Sequence, residues 1–429
     1  MGQEYFHSVT LDKDKCKGCT NCIKHCPTEA IRVRNGKAEI TRERCIDCGE
    51  CIRVCPYHAK KAVSDPFEMI GSYRYKIALP APSLYGQFNP SFGREKILRA
   101  LLHIGFDDVF EVAAAAEVVS DATRRYLESH EVRKPVISTA CPAVVRLVQV
   151  RFPNLIENLI HIDTPMEVAA GMARRRAAER TGIPAGEIGC FFLSPCAAKV
   201  TSVKAPFSKE KSEVDAVFAM KDIHLLLLEQ LKKMNGMPSE EKHLMAGPAG
   251  VLWACTGGES AFLEKGRHIA VHGIANIIAI LEETVEERLE DVDFIEALSC
   301  LEGCLGGPLT VENPFVAKTN LQAVIESAEA SDFDPDCLVA DPSELEWTRE
   351  MPYIPVLKLD DDRMKALEKL QRIDVIEADL PGLDCGACGA PSCRALAEDI
   401  VRGFAKETDC VFKLREKVSD LAQRFGDLT

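Results

Sequence analysis

Between Tyr73 and Leu357 short apolar runs alternate with amphipathic stretches. YKIALPAP, PVISTAC, IGCFFLSPC, VDAVFAM and HIAVHGIA are compact and β-branched or aromatic, the texture of buried strands. GREKILRALLHIG, DATRRYLESH, AVVRLVQVRF and MKDIHLLLLEQLKKM carry apolar residues at helical spacing. Strands alternating with helices predict α/β architecture with parallel sheets. The first 60 residues lack long apolar runs and cannot build an ordinary core. After the acidic stretch LKLDDDRM, Met364, Leu367, Leu370 and Ile373 fall on one face of a predicted helix, and a polar helix is expected at the end of the sequence.

Nineteen cysteines change this picture. Their spacings are short and repeated, unlike the disulfide frameworks of small secreted chains. MGQEYFHSVTLDKDK shows neither an apolar signal core nor a twin-arginine motif, and HLLLLEQL and IANIIAILEE are far too short to span a bilayer. The expectation is a cytoplasmic protein without a membrane span, whose reduced thiolates are available to metals. The net charge of −14 argues against a nucleic-acid surface.

The first cysteine group reads Cys16-x-x-Cys19-x-x-Cys22-x-x-x-Cys26-Pro27, followed by Cys45-x-x-Cys48-x-x-Cys51-x-x-x-Cys55-Pro56. This is the bacterial two-cluster ferredoxin run, in which each fourth cysteine serves the other cluster. One 4Fe–4S cluster is therefore expected on Cys16, Cys19, Cys22 and Cys55, and the other on Cys45, Cys48, Cys51 and Cys26. A zinc module is the competing assignment. A second group, Cys385, Cys388, Cys393 and Cys410, sits among glycines that let the chain wrap a metal core. It resembles the four-cysteine iron–sulfur domain of the B components of Rnf electron-transport complexes and of corrinoid iron–sulfur proteins, with a zinc knuckle as the alternative.

A third group is dispersed: STACPAVVRLVQVRFPNL around Cys141, FFLSPCAAKV around Cys196, and EALSCLEGCLGGPLT around Cys300 and Cys304. Pro142 suits a first helical turn, whose dipole would favour a Cys141 thiolate. Cys300 and Cys304, four apart, are expected on one side of a helical turn. Gly303, Gly306 and Gly307 are expected to leave room for a bulky cofactor.

These segments resemble the three signatures of FeFe hydrogenases, TSCCP, MPCxxKxxE and ExMACxxGCxxGGG; GFDDVFEV and GPAGVLWACTGGES resemble the same domain. The resemblance implies a two-lobed α/β domain over 67–358, with an α+β dicluster ferredoxin-like domain over 1–66. A small, mostly helical iron–sulfur domain over 359–429 completes the expected organisation. By the same resemblance, Cys141, Cys196, Cys300 and Cys304 hold an H-cluster. That group comprises a 4Fe–4S cubane joined through Cys304 to a two-iron site with CO, cyanide and a dithiolate. Lys199 matches the lysine that hydrogen-bonds an iron cyanide. The implied reaction interconverts H₂ with protons and electrons, with a ferredoxin or a signalling protein as redox partner.

The sequence also departs from the family pattern. Ala140 replaces the proton-transferring cysteine, Ser194 and Leu298 replace motif methionines, and the glycine run shortens to Gly306-Gly307-Pro308. AEVVSDATRRYLESH offers Glu117 and Asp121 as carboxylates in the relay region. This set resembles the divergent, sensor-like branch of the family and implies slow turnover, with the C-terminal cluster as a redox output. The alternatives are a working electron-transfer hydrogenase and a non-enzymatic iron–sulfur protein without the two-iron site. Cys190, Cys255, Cys337 and Trp253 are expected in cores, and His7, His25 and His58 in surface or packing roles.

Overall fold

The computed structural model describes residues 6–129, 132–234, 244–263, 265–326, 342–356 and 358–426. Cys337 lies outside them. The chain forms two compact units. One combines Val9–Cys45, Glu50–Lys61 and Ile354–Thr429; the other combines Met1–Ser8, Ile46–Gly49 and Ala62–Tyr353. Among the described residues no helix is long and apolar enough to cross a membrane.

The first unit is built on short strands, β1 (Val9–Leu11), β2 (Ile31–Arg34), β3 (Lys37–Ile40) and β4 (Lys60–Ala62). β1 pairs with β4, and β2 with β3 in antiparallel register from Ile31 opposite Ile40 to Arg34 opposite Lys37. Three helices follow from the C-terminal segment: Arg363–Asp379, Cys393–Val401 and Val411–Gly426. The first starts where the Asp362 side chain accepts from the amides of Met364 and Lys365. Of its expected apolar face only Ile373 is buried, at 3 % exposure; Met364, Leu367 and Leu370 face solvent. The ferredoxin-like segment and the C-terminal segment, expected as separate domains, thus share one unit. The reason is charge pairing across more than 350 residues, between Arg32, Arg34 and Arg44 on one side and Glu398 and Asp399 on the other. Sequence periodicity carries no trace of such pairs.

The second unit contains two parallel sheets. Strands β5 (Tyr75–Pro80), β6 (Asp108–Val109), β8 (Ile188–Ser194) and β9 (Ala216–Ala219) form one, in the order β6-β5-β8-β9. Strands β7 (Val136–Ile137), β10 (His268–His272) and β11 (Phe294–Leu298) form the other, in the order β10-β11-β7. Every residue of β8 is buried, as expected of a central strand covered on both faces. Phe191 of β8 stacks on Phe218 of β9, ring centroids 5.4 Å apart, in the core of the first sheet. A second core, with Val144, Leu147 and Ile295, surrounds the other sheet. The helix expected from Asp121 begins earlier, at Val112, because AAAAEVV is itself strongly helix-forming.

Cys141 follows β7, Cys196 follows β8 and Cys300 follows β11. All three lie beyond the carboxyl ends of parallel strands drawn from both sheets, where open α/β folds build their sites.

Candidate functional site

Cys141 caps the helix Pro142–Arg151, with Pro142 at its first position as expected. Cys196 caps the helix Ala197–Lys204. The Ser194 hydroxyl accepts from the Cys196 amide at 3.0 Å and donates to the Cys196 carbonyl at 3.1 Å. Ser194 therefore shapes the loop and has no proton to offer beyond it. Cys300 and Cys304 do not share a helical turn: Cys304 lies in the short 3₁₀ helix Gly303–Gly306, and Cys300 precedes it. Glu302 (φ 56°) and Gly303 (φ 71°) are left-handed, and the Cys304 amide donates to Ala254 O at 2.9 Å. The glycines meet backbone: a Cβ on Gly303 would lie 2.8 Å from Ala254 O, and one on Gly307 2.1 Å from Pro195 O. Gly307 seats the Cys304 loop directly on the loop that carries Cys196, and Gly303 seats it on the segment of Ala254.

The four thiols converge. Burial pushes Cys196 well up, and Cys300 and Cys141 add to the effect. Burial raises Cys304 to about 12, with Lys199 pulling down and Cys141 and Cys300 pushing up. The Lys199 side chain is buried at 8 % exposure and donates to Ala140 O at 3.1 Å, bridging the Cys196 helix to the Cys141 loop. Enclosed thiols whose charges oppose one another fit a metal core, which removes the protons and neutralises the thiolates.

The same test applies to the first unit. Cys16, Cys19, Cys22 and Cys55 line one small cavity together with Val33, Ala38 and Ala59. Cys55 joins the first three, as the two-cluster run predicts. Burial pushes Cys55 up, but the backbone amides of Lys60, Ala59 and Tyr57 and the Lys60 charge outweigh it and hold the thiol below its usual value. Amides of Ala59 and Ala38 donate to Sγ of Cys55 and Cys16 at 3.3 and 3.4 Å. Cys26, Cys45 and Cys51 belong to this unit, and Cys48 to the segment Ile46–Gly49 of the other. Burial raises Cys388, and the nearby Cys385 and Cys410 add to the shift. Among the described residues no three of these sulfurs lie within 4.8 Å of one another.

Neither expected relay carboxylate reaches the Cys141 site. Glu117 accepts from the amides of Gly247 and Gly250 at 3.0 and 2.9 Å, and Asp121 pairs with Arg124 and Arg125. Of two other carboxylates, not singled out in the sequence, Glu259 reaches the loop before Cys141, and Glu296 lies beside Glu259. Glu259 accepts from the Ser138 hydroxyl at 2.6 Å, and Ser138 in turn accepts from the Ala140 amide at 3.2 Å. Glu296 on β11 accepts from the amides of Gly257 and Ser260 and from the Ser260 hydroxyl. Burial and the Glu296 charge push Glu259 up to about 8, so it holds its proton at neutral pH. The signals in the sequence were a glutamate inside the apolar run FIEALSC, at the first position of the third signature, and Glu259 within GPAGVLWACTGGES.

Cys190 and Cys255 are buried, with thiols raised by burial to about 12 and 11, and Trp253 is buried with its indole donating to Ser120. These are core roles, as expected. His7 lies 3.5 Å from the buried Asp47, a packing role.

Two parallel sheets, with cysteines from both gathered beyond their carboxyl ends, are an arrangement suited to an iron–sulfur protein. Residues 74–308 match the iron-only hydrogenase large subunit, C-terminal domain, and the chain belongs to that family. Residues 8–56 match a 4Fe–4S dicluster domain, and residues 380–412 an Fe–S cluster domain. The chain is 27 % identical to the periplasmic Fe hydrogenase large subunit of Nitratidesulfovibrio vulgaris over 277 residues, 60 % of this chain and 64 % of that one. It is 55 % identical over 38 residues to the B component of the ion-translocating oxidoreductase complex of Cereibacter sphaeroides, 9 % of this chain and 20 % of that one. A solved variant of the FeFe-hydrogenase HydA1 from Chlamydomonas reinhardtii shares the fold at a TM-score of 0.50 and 15 % identity, over 67 % of this chain and 96 % of that one. The chain spans less than two thirds of the length of the curated hydrogenases it matches.

Proposed function

We propose that this protein interconverts H₂ with protons and electrons, slowly, and that it reports H₂ to a redox partner. The reading is carried by the convergence of Cys141, Cys196, Cys300 and Cys304 around the buried Lys199. These cysteines would hold an H-cluster, whose iron supplies the redox chemistry of H₂ when bound. Three further 4Fe–4S clusters would occupy the Cys16/Cys19/Cys22/Cys55, Cys45/Cys48/Cys51/Cys26 and Cys385/Cys388/Cys393/Cys410 sets and carry electrons to and from it.

The protein's own residues divide the remaining work. Lys199 ties the Cys141 and Cys196 loops together through Ala140 O and leaves further N–H donors for a bound anion. Ser194 fixes the turn that presents Cys196. Glu259 stores a proton and Ser138 can pass it on, but Ala140 offers no exchangeable side-chain proton beyond that point. Loss of a positioned proton donor lowers rates by about 10²–10⁴-fold, which motivates slow turnover. A sensor needs occupancy rather than turnover, and the extra cysteine module provides a route for the signal.

The test is infrared spectroscopy after maturation, combined with an H₂ assay. CO and cyanide bands with weak H₂ turnover are expected. Their absence from fully matured protein would leave a plain cubane protein, and turnover at ordinary hydrogenase rates would remove the sensor reading.

A further inference from the structure

We propose that the C-terminal cysteine module is latched onto the dicluster segment, so that its cluster exchanges electrons directly with the cluster on Cys16, Cys19, Cys22 and Cys55. The proposal rests on the reading that both sets hold 4Fe–4S clusters, but not on H₂ chemistry.

Three contacts make the latch, all within one compact unit. The first is ionic. The helix Cys393–Val401 starts at a cysteine of the module and carries Glu398 and Asp399 in its last turn. Asp399 is buried at 6 % exposure and accepts from Arg32 Nε at 2.7 Å, Arg32 Nη2 at 3.2 Å and Arg34 Nη2 at 2.6 Å. Glu398 accepts from Arg44 Nη2 at 2.5 Å and from Arg402 Nε at 2.8 Å. The Arg32–Asp399 pair is bidentate, which fixes orientation as well as distance. Opening the latch would strand buried charges on both sides.

The second contact is between backbones. The Val33 amide on β2 donates to Gly389 O at 2.8 Å, and Arg34 Nη1 donates to Cys388 O at 3.0 Å. The module thereby covers an otherwise open strand edge. Gly389 has φ 84°, and a Cβ there would lie 1.9 Å from Val33 O, so only glycine permits this approach. Third, a Cβ on Gly386 would lie 3.5 Å from Ile23 Cδ1, and Lys24 Nζ donates to Pro391 O at 3.2 Å.

These contacts involve the metal-binding loops themselves. Gly386 lies between Cys385 and Cys388, and Ile23 and Lys24 lie between Cys22 and Cys26. Val33, bonded to the residue after Cys388, also lines the cavity of Cys16, Cys19, Cys22 and Cys55. A single hydrogen bond therefore links the loop of one cluster to the wall of the other. The exchange is of one electron, with one cluster oxidised as the other is reduced and no bond or proton changing place.

The test uses the full-length protein reconstituted with 4Fe–4S clusters only, reduced stepwise with dithionite and followed by electron paramagnetic resonance. Two latch variants are compared with it: Gly389→Val, and the pair Arg32→Ala and Arg34→Ala as a second route should the first fail to load metal. In the parent protein the signal of the C-terminal cluster should be split or relaxation-enhanced once the Cys16 cluster is also reduced. The coupling should be lost in a variant that retains both clusters by iron count. Independent signals in the fully reduced parent, coupling unchanged in both variants, or zinc in the C-terminal set would each overturn the proposal. Because no two-iron site is needed, absent CO and cyanide bands would sink the H₂ reading and leave this result untouched.

Discussion

The Ser138 hydroxyl sits 2.6 Å from Oε2 of Glu259, two residues before the alanine that stands where the family places a proton-transferring cysteine. Glu259 is 4 % exposed, and burial together with the charge of Glu296 raises it to about 8. Below that pH the site keeps a proton on a carboxyl that can feed the Ser138 hydroxyl. On the proposed function the Glu259–Ser138 path stops at Ala140, so Glu259→Gln should change H₂ turnover little in the parent protein but should cancel the gain made by Ala140→Cys, by up to about 10²–10⁴-fold, with iron content and infrared bands unchanged. Ser138→Ala should act in the same direction. A gain from Ala140→Cys that persists in both double variants would show that protons arrive elsewhere.

The same carboxyl makes stability depend on pH. Its folded pKa is raised to about 8, above an unfolded value of about 4.3. Its protonated form therefore contributes stability that is fully present below about pH 4.3 and is lost as pH rises through 8. Between those limits the folded state binds the extra proton, and the slope is at most about 1.4 kcal/mol per pH unit. Urea midpoints measured at pH 6 and pH 8 should fall less in Glu259→Gln than in the parent protein. Parallel falls would mean that Glu259 is ionised in the folded state at pH 6.

Ala140→Cys would add a thiol two residues after Ser138 and directly before Cys141. The Ala140 position is already braced, its amide on Ser138 and its carbonyl on Lys199. Turnover should rise while the infrared bands remain. An unchanged rate with the bands intact would place the limiting step elsewhere.

The parts of this molecule legible in the sequence are those whose chemistry is local. The first cysteine set was legible because three of its members come from one tight turn and the two-cluster run supplies the fourth, and Cys55 indeed lines the cavity of Cys16, Cys19 and Cys22. β5, β8, β9 and β10 were legible as apolar runs. What stayed hidden depends on distance or on context. Glu117 was visible as a carboxylate, but not that it would accept the amides of Gly247 and Gly250. Glu259 follows two glycines and reads as part of a turn, yet the fold buries it. The Cys300–Cys304 spacing suggested a helix, but the left-handed Glu302 and Gly303 turn the chain another way. The pairing of Arg32 with Asp399 joins residues 367 positions apart and leaves no periodic signal.

Metal content tests the ligand sets together. Sixteen of the nineteen cysteines are assigned to four 4Fe–4S cores. Anaerobic reconstitution should therefore give iron near four cluster equivalents per chain, before any two-iron site is added, with no stoichiometric zinc. Cys388→Ser should remove one equivalent and leave the other three. Stoichiometric zinc in the parent, lost in that variant, would assign the C-terminal set to zinc.

Removal of the C-terminal segment from Ile354 onward separates the two roles assigned to it. Cys141, Cys196, Cys300, Cys304, Lys199, Ser138 and Glu259 all belong to the other compact unit. H₂ chemistry with an artificial electron donor should therefore survive the truncation, while an H₂-dependent response in a redox partner should disappear. The ferredoxin-like segment should not escape unchanged, because Arg32, Arg34 and Arg44 lose Asp399 and Glu398, and the Val33 amide loses Gly389 O. Leaving one side of a buried pair without its partner costs about 3–5 kcal/mol, although solvent reaching the exposed face recovers part of this. The expected signature is a lower midpoint for thermal loss of the 4Fe–4S absorbance, with the CO and cyanide bands retained. Loss of H₂ chemistry with the same donor would contradict the division of labour, and a partner response that persists would remove the C-terminal module from the signalling path.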